Sequence, residues 1–350
     1  MNEQTRVRVL VASYLEPEHV ERIRAVDPRL EVLYAPELLR SPRYPADHTG
    51  EASVRRSADD EARWRRLLEQ ADVLFDFDYT NDADLPDLAP RVRWIQASSA
   101  GIGPFVARRR YHERMPSTVF TTASGIHARP LAEFCTLAMV GFSRGLFRML
   151  DGQGRGRWER FAGTDLFDRT VVIFGYGSIG REVARLARSL GMRTIGIKRS
   201  GAGPNAAEAG VDEVHGPASV DALLPRAEFL VLCAPHTPET EGVLGAERLA
   251  LLPRGAVVIN VGRGGLVDEA ALVELLRSGH LAGAALDVFE REPLPVESPL
   301  WSLPNVLVCP HSAGTSDREN ARLTDLFCDN LRRFLDGRPL RNVLDPERRY

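Results

Sequence analysis

The chain has 350 residues, of which 44% are hydrophobic and 27% are charged, proportions typical of a soluble globular protein with two ordinary domains. A formal charge of -3, from 45 Lys and Arg against 48 Asp and Glu, excludes the basic excess of a nucleic-acid binder. The four cysteines form no metal-ligand pattern, no apolar run is long enough to span a membrane, and the first residues lack a secretory core. These features predict a cytoplasmic protein that has no metal and no membrane or nucleic-acid partner.

The N-terminal third has the pattern of an α/β unit. Residues 7–13 predict a strand, and a helical pattern follows from Glu16. The polar, Pro-containing residues 36–60 predict a loop or insertion, and residues 61–70 predict a helix that leads into a second strand. A third strand at residues 92–96 ends in SSAGIG, whose small residues let backbone amides approach a ligand.

The rest of the chain predicts a second α/β lobe. Residues 129–150 show helical spacing and predict a long helix that links the two lobes. Five short apolar segments follow, in TVVIFGYGSIG, MRTIGI, FLVLCAP, AVVIN and GAALDVF, with helical or loop segments between them. This succession predicts a parallel, doubly wound sheet. Residues 317–335 predict a final helix.

A glycine-rich motif directly follows the strand TVVIF and precedes a helical pattern. Gly175 permits the tight turn, Gly177 lets the backbone approach a pyrophosphate, and Gly180 lets the helix pack on the strand. The amides of Ser178 and Ile179 would lie at the helix N-terminus, where phosphate binds. The motif predicts a dinucleotide site, and an ordinary glycine-rich turn is the alternative.

The next strand, MRTIGI, ends about 20 residues beyond the motif, where an NAD-binding fold carries an acidic residue for the ribose hydroxyls. This chain has Lys198, Arg199 and Ser200 there, and Lys198 is its only lysine. A lysine and a guanidinium fork attract a 2′-phosphate, which a carboxylate would repel. The segment favours NADP(H) and leaves NAD(H) open, and a solvated surface pair is the alternative.

Three strand ends carry residues suited to the chemistry of 2-keto acids. Arg263 follows AVVIN, Glu292 follows GAALDVF, and His311 follows NVLVCP. The reduction of a 2-keto acid needs a cation for the carboxylate, a proton donor for the new alkoxide, and a carboxylate that holds the protonated donor. Arg263, His311 and Glu292 fill these roles in that order.

Alternatives exist for each of these residues. Glu290 lies in the same loop as Glu292, and the residues alone do not decide which one faces inward. His127 and His236 are weaker candidates for the proton donor and could instead influence substrate choice. Taken singly, the three candidates also have purely structural interpretations. Asp287 ends a strand and is placed to contact the nicotinamide amide.

The segments GYGSIG, CAPHTPET, INVGRGGLVDEAAL, ALDVFEREPLP and SPLWSLPNVLVCPHSAG occur in this order. Together they resemble the D-isomer-specific 2-hydroxyacid dehydrogenase family, with the strongest match over residues 124–314. The resemblance implies catalytic roles for Arg263, Glu292 and His311, and it selects Glu292 over Glu290. It also implies that Ala100 and Gly101 offer amides to the substrate carboxylate. Residues implied to lie near the cofactor are Ala234, Pro235, Thr240, Val261, Asp287 and Gly314.

The same resemblance implies two Rossmann/flavodoxin-like lobes with a cleft between them. The substrate-binding domain would comprise residues 1–120 completed by 315–350, and the NAD(P)-binding domain residues 121–314. A homodimer is expected through the nucleotide-binding lobe and the helix before it.

Two departures bear on function. Lys198, Arg199 and Ser200 replace the acidic ribose ligand, as in the glyoxylate and hydroxypyruvate reductase branch, and residues 36–60 are unusual. The leading hypothesis is an NAD(P)H-dependent reductase of a small 2-keto acid. A dinucleotide-sensing regulator of the corepressor type is the alternative, and a dehydrogenase of a non-carboxylate substrate such as phosphite is a third. Formate dehydrogenases of this fold carry glutamine in place of Glu292, which disfavours that activity.

Overall fold

The computed structural model describes residues 6–52, 55–199 and 210–348. The chain forms two compact units, one of residues 1–126 with 315–350 and one of residues 127–314. Each unit is built on a parallel sheet, which confirms the predicted class of two doubly wound α/β lobes. The division falls after Ile126 rather than residue 120, because Ala123 and Ile126 pack in the core of the first unit.

The first unit has five strands: β1 (Val7–Val11), β2 (Leu30–Leu33), β3 (Val73–Phe75), β4 (Trp94–Gln96) and β5 (Val119–Thr121). All pairs are parallel, and the order β2-β1-β3-β4-β5 is the flavodoxin-like one. Successive residues of β1 face opposite sides of the sheet, so Val9 packs in a core with Phe327 whereas Leu10 packs in a core with Trp64. The sheet is therefore covered on both faces.

The second unit has seven parallel strands: β6 (Thr170–Phe174), β7 (Arg193–Ile197), β8 (Glu213–His215), β9 (Phe229–Leu232), β10 (Val257–Asn260), β11 (Gly283–Leu286) and β12 (Val306–Val308). Their order is β8-β7-β6-β9-β10-β11-β12, so the direction of winding reverses between β6 and β9. Ligands of such sheets bind at the carboxyl ends of the strands beside this reversal. β8 was not among the predicted strands, because it is short and only Val214 within it is buried.

The helices surround both sheets: α1 (Pro17–Arg24), α2 (Ala58–Gln70), α3 (Leu85–Leu88), α4 (Gly103–Arg108), α5 (Tyr111–Arg114), α6 (Ala128–Arg144), α7 (Leu146–Gly154), α8 (Ser178–Ser189), α9 (Val220–Leu223), α10 (Ala246–Ala250), α11 (Glu269–Arg277) and α12 (Glu319–Leu335). Among the described helices, none combines the length and the apolar character needed to cross a membrane.

The prediction of one long helix over residues 129–150 was wrong. The chain forms α6 and α7 there, separated at Gly145, whose φ of +69° is left-handed. A Cβ on Gly145 would lie 2.5 Å from the Phe161 ring, so the ring packs where only glycine leaves room. The apolar periodicity continues across the break and conceals it.

The predicted loop of residues 36–60 contains regular structure at both ends. Pro36–Leu38 form a 3₁₀ turn, and α2 begins at Ala58 rather than at Glu61. The hydroxyl oxygen of Ser57 accepts a hydrogen bond from the Asp60 N–H at 3.2 Å and caps the helix. The cap explains why helical structure extends into residues that had been predicted as loop.

Candidate active site

The glycine-rich turn lies between β6 and α8, where the strand order reverses. Gly175 has φ of +106°, and a Cβ on it would lie 2.4 Å from the Ala234 nitrogen. A Cβ on Gly180 would lie 2.6 Å from the Gly175 carbonyl oxygen. A Cβ on Gly177, by contrast, would meet no heavy atom of the described residues within 4 Å. This open space directly precedes α8, which begins at Ser178, and so the turn fits a pyrophosphate at a helix N-terminus.

Lys198 and Arg199 directly follow β7, at the same edge of the sheet. In the loop after β9, a hydrogen bond from Thr237 is the largest cause that lowers the pKa of Glu239, and the positive charge of Arg199 adds to it. Ser200, the third predicted member of this group, lies outside the described residues.

The predicted cofactor residues after β9 and β10 belong to loops that hold themselves in place. The Thr240 hydroxyl donates to the Pro235 carbonyl at 2.7 Å and accepts from the Thr237 N–H at 2.8 Å. Ala234 is buried against Gly175, and Val261 is buried directly after β10. The backbone of these two loops, rather than the buried side chains of Ala234 and Val261, therefore faces the carboxyl edge of the sheet.

Arg263 lies in a turn that Asn260 shapes. The Asn260 side chain accepts from the Gly262 N–H and donates to the Arg263 carbonyl, both at 3.0 Å. A Cβ on Gly264 would lie only 1.9 Å from the Phe289 carbonyl carbon, so this turn is pressed against the loop after β11. That close approach brings Arg263 near the carboxylate that follows.

Glu292 and His311 are in direct contact. The Glu292 Oε2 and the His311 Nδ1 are 2.7 Å apart, while Glu292 Oε1 accepts from the Phe289 N–H at 3.0 Å. Asp287 holds the His311 loop, because its Oδ1 accepts from the N–H groups of Ser312 and Ala313 at 2.8 and 2.9 Å. His311 itself has a left-handed φ of +53°, and its N–H donates to the Asp287 carbonyl at 3.0 Å. The imidazole is thus fixed at Nδ1 and leaves Nε2 for a ligand.

The electrostatics of the three side chains are coupled. The hydrogen bond that His311 donates to Glu292 raises the pKa of His311, although burial opposes the change. Burial raises the pKa of Glu292, but hydrogen bonds from His311 and Phe289 outweigh it and leave that pKa below its usual value. Burial lowers the pKa of the Arg263 guanidinium, and the nearby Glu292 and Asp287 carboxylates oppose this. The pair therefore favours a protonated imidazole beside an ionised carboxylate.

The competing residues make other contacts than the Glu292–His311 pair. Glu290 accepts from the Glu269 N–H at 3.0 Å, so its carboxylate stabilises the start of α11 instead of contacting His311. His127 precedes α6, and a Cβ on Gly314 would lie 3.6 Å from its Cβ. His236 packs over Gly265, and its Nε2 is buried with no hydrogen-bond partner among the described residues.

The SSAGIG loop belongs to the first unit and follows β4. Asp76, with a left-handed φ of +67°, accepts hydrogen bonds from the Ser98 N–H at 3.2 Å and the Ser98 hydroxyl at 2.8 Å. The Gly101 N–H, predicted to bind a carboxylate, donates to the Ser99 hydroxyl at 3.2 Å. Ala100 lies between these two anchored positions, so buried Asp76 fixes the start of the loop.

Sequence reasoning missed Asn260 and Asp76, and it gave Asp287 only a cofactor role. Each of these residues ends or directly follows a buried strand. A polar residue at such a place is a usable signal, because a buried side chain there must find hydrogen-bond partners. Which loop it would hold could not be known without the contacts.

The reversal of strand order, the open glycine turn and the Arg, Glu and His side chains at successive strand ends define a dinucleotide-binding oxidoreductase. A family model described as D-isomer specific 2-hydroxyacid dehydrogenase, NAD binding domain, matches residues 136–313. The chain belongs to this family and is an NAD(P)-dependent oxidoreductase that acts between 2-keto and 2-hydroxy acids. Both the predicted family and the predicted class of cofactor are confirmed.

Three individual proteins illustrate the similarity. D-3-phosphoglycerate dehydrogenase of Methanocaldococcus jannaschii is 34% identical over 217 residues, which span 61% of this chain but only 41% of that protein. Glyoxylate/hydroxypyruvate reductase B of Yersinia pestis is 32% identical over 289 residues, 80% of this chain and 86% of that one. The crystal structure of an NADPH-dependent glyoxylate/hydroxypyruvate reductase from Sinorhizobium meliloti, in complex with NADP and sulfate, has a TM-score of 0.76. It is 29% identical and covers 99% of this chain and 100% of that one.

Proposed function

We propose that this chain reduces a small 2-keto acid of the glyoxylate or hydroxypyruvate type to the D-2-hydroxy acid, with NADPH as its preferred cofactor. The observation that carries the proposal is the 2.7 Å contact between Glu292 and His311 beside Arg263. Similar proteins that are named glyoxylate/hydroxypyruvate reductases support the substrate class. These matches give no support to the dinucleotide-sensing alternative.

The three side chains divide the chemistry. The Arg263 guanidinium binds the substrate carboxylate and polarises the neighbouring carbonyl. His311 holds a proton at Nε2 and donates it to the carbonyl oxygen as that oxygen becomes a hydroxyl. The Glu292 carboxylate stays ionised beside the His311 Nδ1 and stabilises the imidazolium before the proton transfer. In the first unit, the amides of Ala100 and Gly101 would hold the substrate carboxylate.

The dinucleotide would lie over Gly177, with its pyrophosphate at the N–H groups of Ser178, Ile179 and Gly180. When bound, its nicotinamide supplies the hydride for the keto carbon. Lys198 and Arg199 would hold a 2′-phosphate, because no carboxylate directly follows β7 to repel it. Residues proposed to complete the cofactor site are Ser200, Ala234, Pro235, Thr240, Val261, Asp287 and Gly314.

The test is a set of initial rates of NADPH and NADH oxidation with glyoxylate, hydroxypyruvate and pyruvate, for the wild type and Lys198→Ala/Arg199→Ala. We expect a preference for NADPH in kcat/KM that falls at least about tenfold in the double variant, since it removes two charge-assisted contacts. Arg193→Ala is the matched control, because Arg193 is an exposed arginine at the opposite end of β7. Equal rates with both cofactors in the wild type would contradict the NADP assignment.

His311→Ala tests the reaction itself. It should lower kcat by about 100-fold or more while dinucleotide binding, followed by fluorescence titration, stays intact. Tight dinucleotide binding by the wild type without oxidation by any of the acids would reject the reductase and favour a sensor.

We further propose that the protein is a cytoplasmic homodimer. Cys135, Cys233, Cys309 and Cys328 are all free thiols, which suits a reducing compartment. Fractionation of the source cells with an antibody to the chain would test the location.

A further inference from the structure

The first unit contains a pocket between residues 36–60 and the loops that follow β1 and β3. We call it the Arg40 pocket and define it by Ser13, Arg40, His48, Arg56 and Tyr79. Arg40 and Arg56 also line an adjoining cavity of about 400 Å³ that runs along the start of α2. The proposed reaction uses none of these side chains.

Arg40 is a half-buried cation that forms no ion pair with a described residue. Its Nε is buried and has no hydrogen-bond partner, and no ion pair holds its guanidinium within the described part of the chain. Gly50 leaves room for Arg40, because a Cβ at position 50 would lie only 2.4 Å from the Arg40 Cβ. A buried donor without an acceptor is unfavourable, so an acceptor supplied by a ligand is favoured.

His48 presents a second unmatched nitrogen. Its Nδ1 lies 2.9 Å from the Ser13 hydroxyl, and its Nε2 is buried with no hydrogen-bond partner among the described residues. In the tautomer in which the Ser13 hydroxyl donates to Nδ1, the Nε2 atom carries the proton. In that tautomer both unmatched nitrogens of the Arg40 pocket are N–H donors.

The carboxylates around the Arg40 pocket are already matched. Asp78 accepts from the Trp64 Nε1 at 2.8 Å and from the Thr80 N–H at 3.0 Å. Glu61 pairs with Arg56 at 3.1 Å, and Glu37 pairs with Arg63 at 2.8 Å. Asp60, the fourth carboxylate of this lining, accepts from the Ser57 hydroxyl at 2.7 Å. Because all four carboxylates already accept hydrogen bonds or form ion pairs, the Arg40 guanidinium can bind a further anion.

The Arg40 pocket opens at the same edge of the sheet as the SSAGIG loop. Tyr79 lines the pocket and donates to Asp76 at 3.2 Å, and Asp76 anchors Ser98 at the start of that loop. β1 and β4 lie on either side of β3, and the hydrogen bonds of Tyr79 and Ser98 to Asp76 join a wall of the pocket to the start of that loop.

We propose that the Arg40 pocket binds a second anionic group at the far end of longer substrates, so that 2-keto acids with a terminal carboxylate or phosphate are reduced more efficiently than neutral acids of equal length. This proposal rests on the proposed function, because it places the 2-keto carboxylate at the SSAGIG loop. Arg40 and His48 donate to the distal anion, and Ser13 orients His48. They select the substrate and take no part in proton transfer.

The experiment compares acids of equal chain length with and without the distal charge: 2-oxoglutarate against 2-oxopentanoate, 2-oxoadipate against 2-oxohexanoate, and 3-phosphohydroxypyruvate against hydroxypyruvate. In the wild type, kcat/KM should favour the anionic member of at least one pair by about tenfold or more. Arg40→Gln should remove most of that preference, and Arg40→Lys should keep part of it. Arg66→Gln, at an exposed arginine of α2 that lines no wall of the pocket, is the matched control and should keep it. A preference within either of the first two pairs indicates a distal carboxylate, and a preference within the third pair indicates a distal phosphate.

Equal rates within all three pairs, or a preference that survives in Arg40→Gln, would overturn the proposal. An equal loss for both members of a pair in Arg40→Gln would also overturn it, since a general structural defect acts on both. If no 2-keto acid is reduced, the proposed function fails, and calorimetric titration with unreactive glutarate and pentanoate decides the pocket separately. Glutarate binding that weakens in Arg40→Gln supports the pocket, whereas absent or unchanged binding rejects it.

Discussion

Glu292 determines the protonation of His311 through one contact of 2.7 Å. The hydrogen bond stabilises the imidazolium, so the pKa of His311 lies above that of a free histidine. Because the reduction consumes a proton held on His311, its rate should fall as the pH rises through that pKa. The raised pKa keeps the donor protonated closer to neutral pH than an isolated histidine would be.

Glu292→Gln should shift this fall in kcat/KM to lower pH, because the amide no longer stabilises the imidazolium. The same change should lower the rate near neutral pH by about tenfold to 100-fold. The measurement is kcat/KM for reduction across pH 5–9 for the wild type and the variant. Glu290→Gln is the matched control, since the Glu290 carboxylate binds the Glu269 N–H. A shift of equal size in the control would contradict the assignment.

Gly145 separates two helices that sequence periodicity joins. Its left-handed φ of +69° ends α6, and the Phe161 ring occupies the space where a side chain would lie. The break therefore depends on a residue sixteen positions further along the chain as much as on the glycine. It sets the direction in which α7 leaves α6.

Gly145→Ala should destabilise the second unit by about 2 kcal/mol or more, because it adds a collision with Phe161 to the cost of a left-handed alanine. Gly156→Ala separates the two effects: Gly156 has φ of +62°, but a Cβ there meets nothing within 4 Å among the described residues. The Gly156→Ala substitution should lower the free energy of unfolding by only about 1–2 kcal/mol. Urea unfolding of both variants measures the difference, and equal losses of stability would mean that Phe161 moves aside.

At the scale of the whole molecule, several large apolar side chains are exposed between Leu137 and Phe167 of the second unit. Leu137, Met149 and Leu150 of α6 and α7 are about half exposed, at 53%, 47% and 54%. Trp158 and Phe167, which follow α7, are 96% and 70% exposed. Exposed apolar side chains of this kind are typical of a subunit interface, and they support the proposed homodimer.

Size-exclusion chromatography with light scattering should give twice the chain mass of 38.8 kDa. Leu137→Glu and Leu150→Glu should shift the protein towards the single-chain mass, because each places a charge in the proposed interface. Val296→Glu is the control, since Val296 is 94% exposed in a different loop. A single-chain mass for the wild type would contradict the dimer.

Much of the second unit could be predicted because its signals are local. Each strand is an apolar run, and Gly175, Arg263 and His311 each follow such a run within a few residues. The parallel arrangement then brings these strand ends to one edge without further information. The break at Gly145 and the strand β8 escaped prediction because a distant ring decides the first and the second has almost no apolar signal.

The sequence alone determined the two α/β lobes, the glycine-rich turn and the three candidate catalytic residues, since short-range patterns of apolar and special residues encode them. Only the tertiary structure decided that Glu292 rather than Glu290 contacts His311, and that Asp287 and Asn260 hold the loops beside them. It alone brought His48 to Ser13 and left the Arg40 Nε without a hydrogen-bond partner among the described residues. The physical reason is that hydrogen bonds and unmatched charges depend on contacts between residues far apart in the chain.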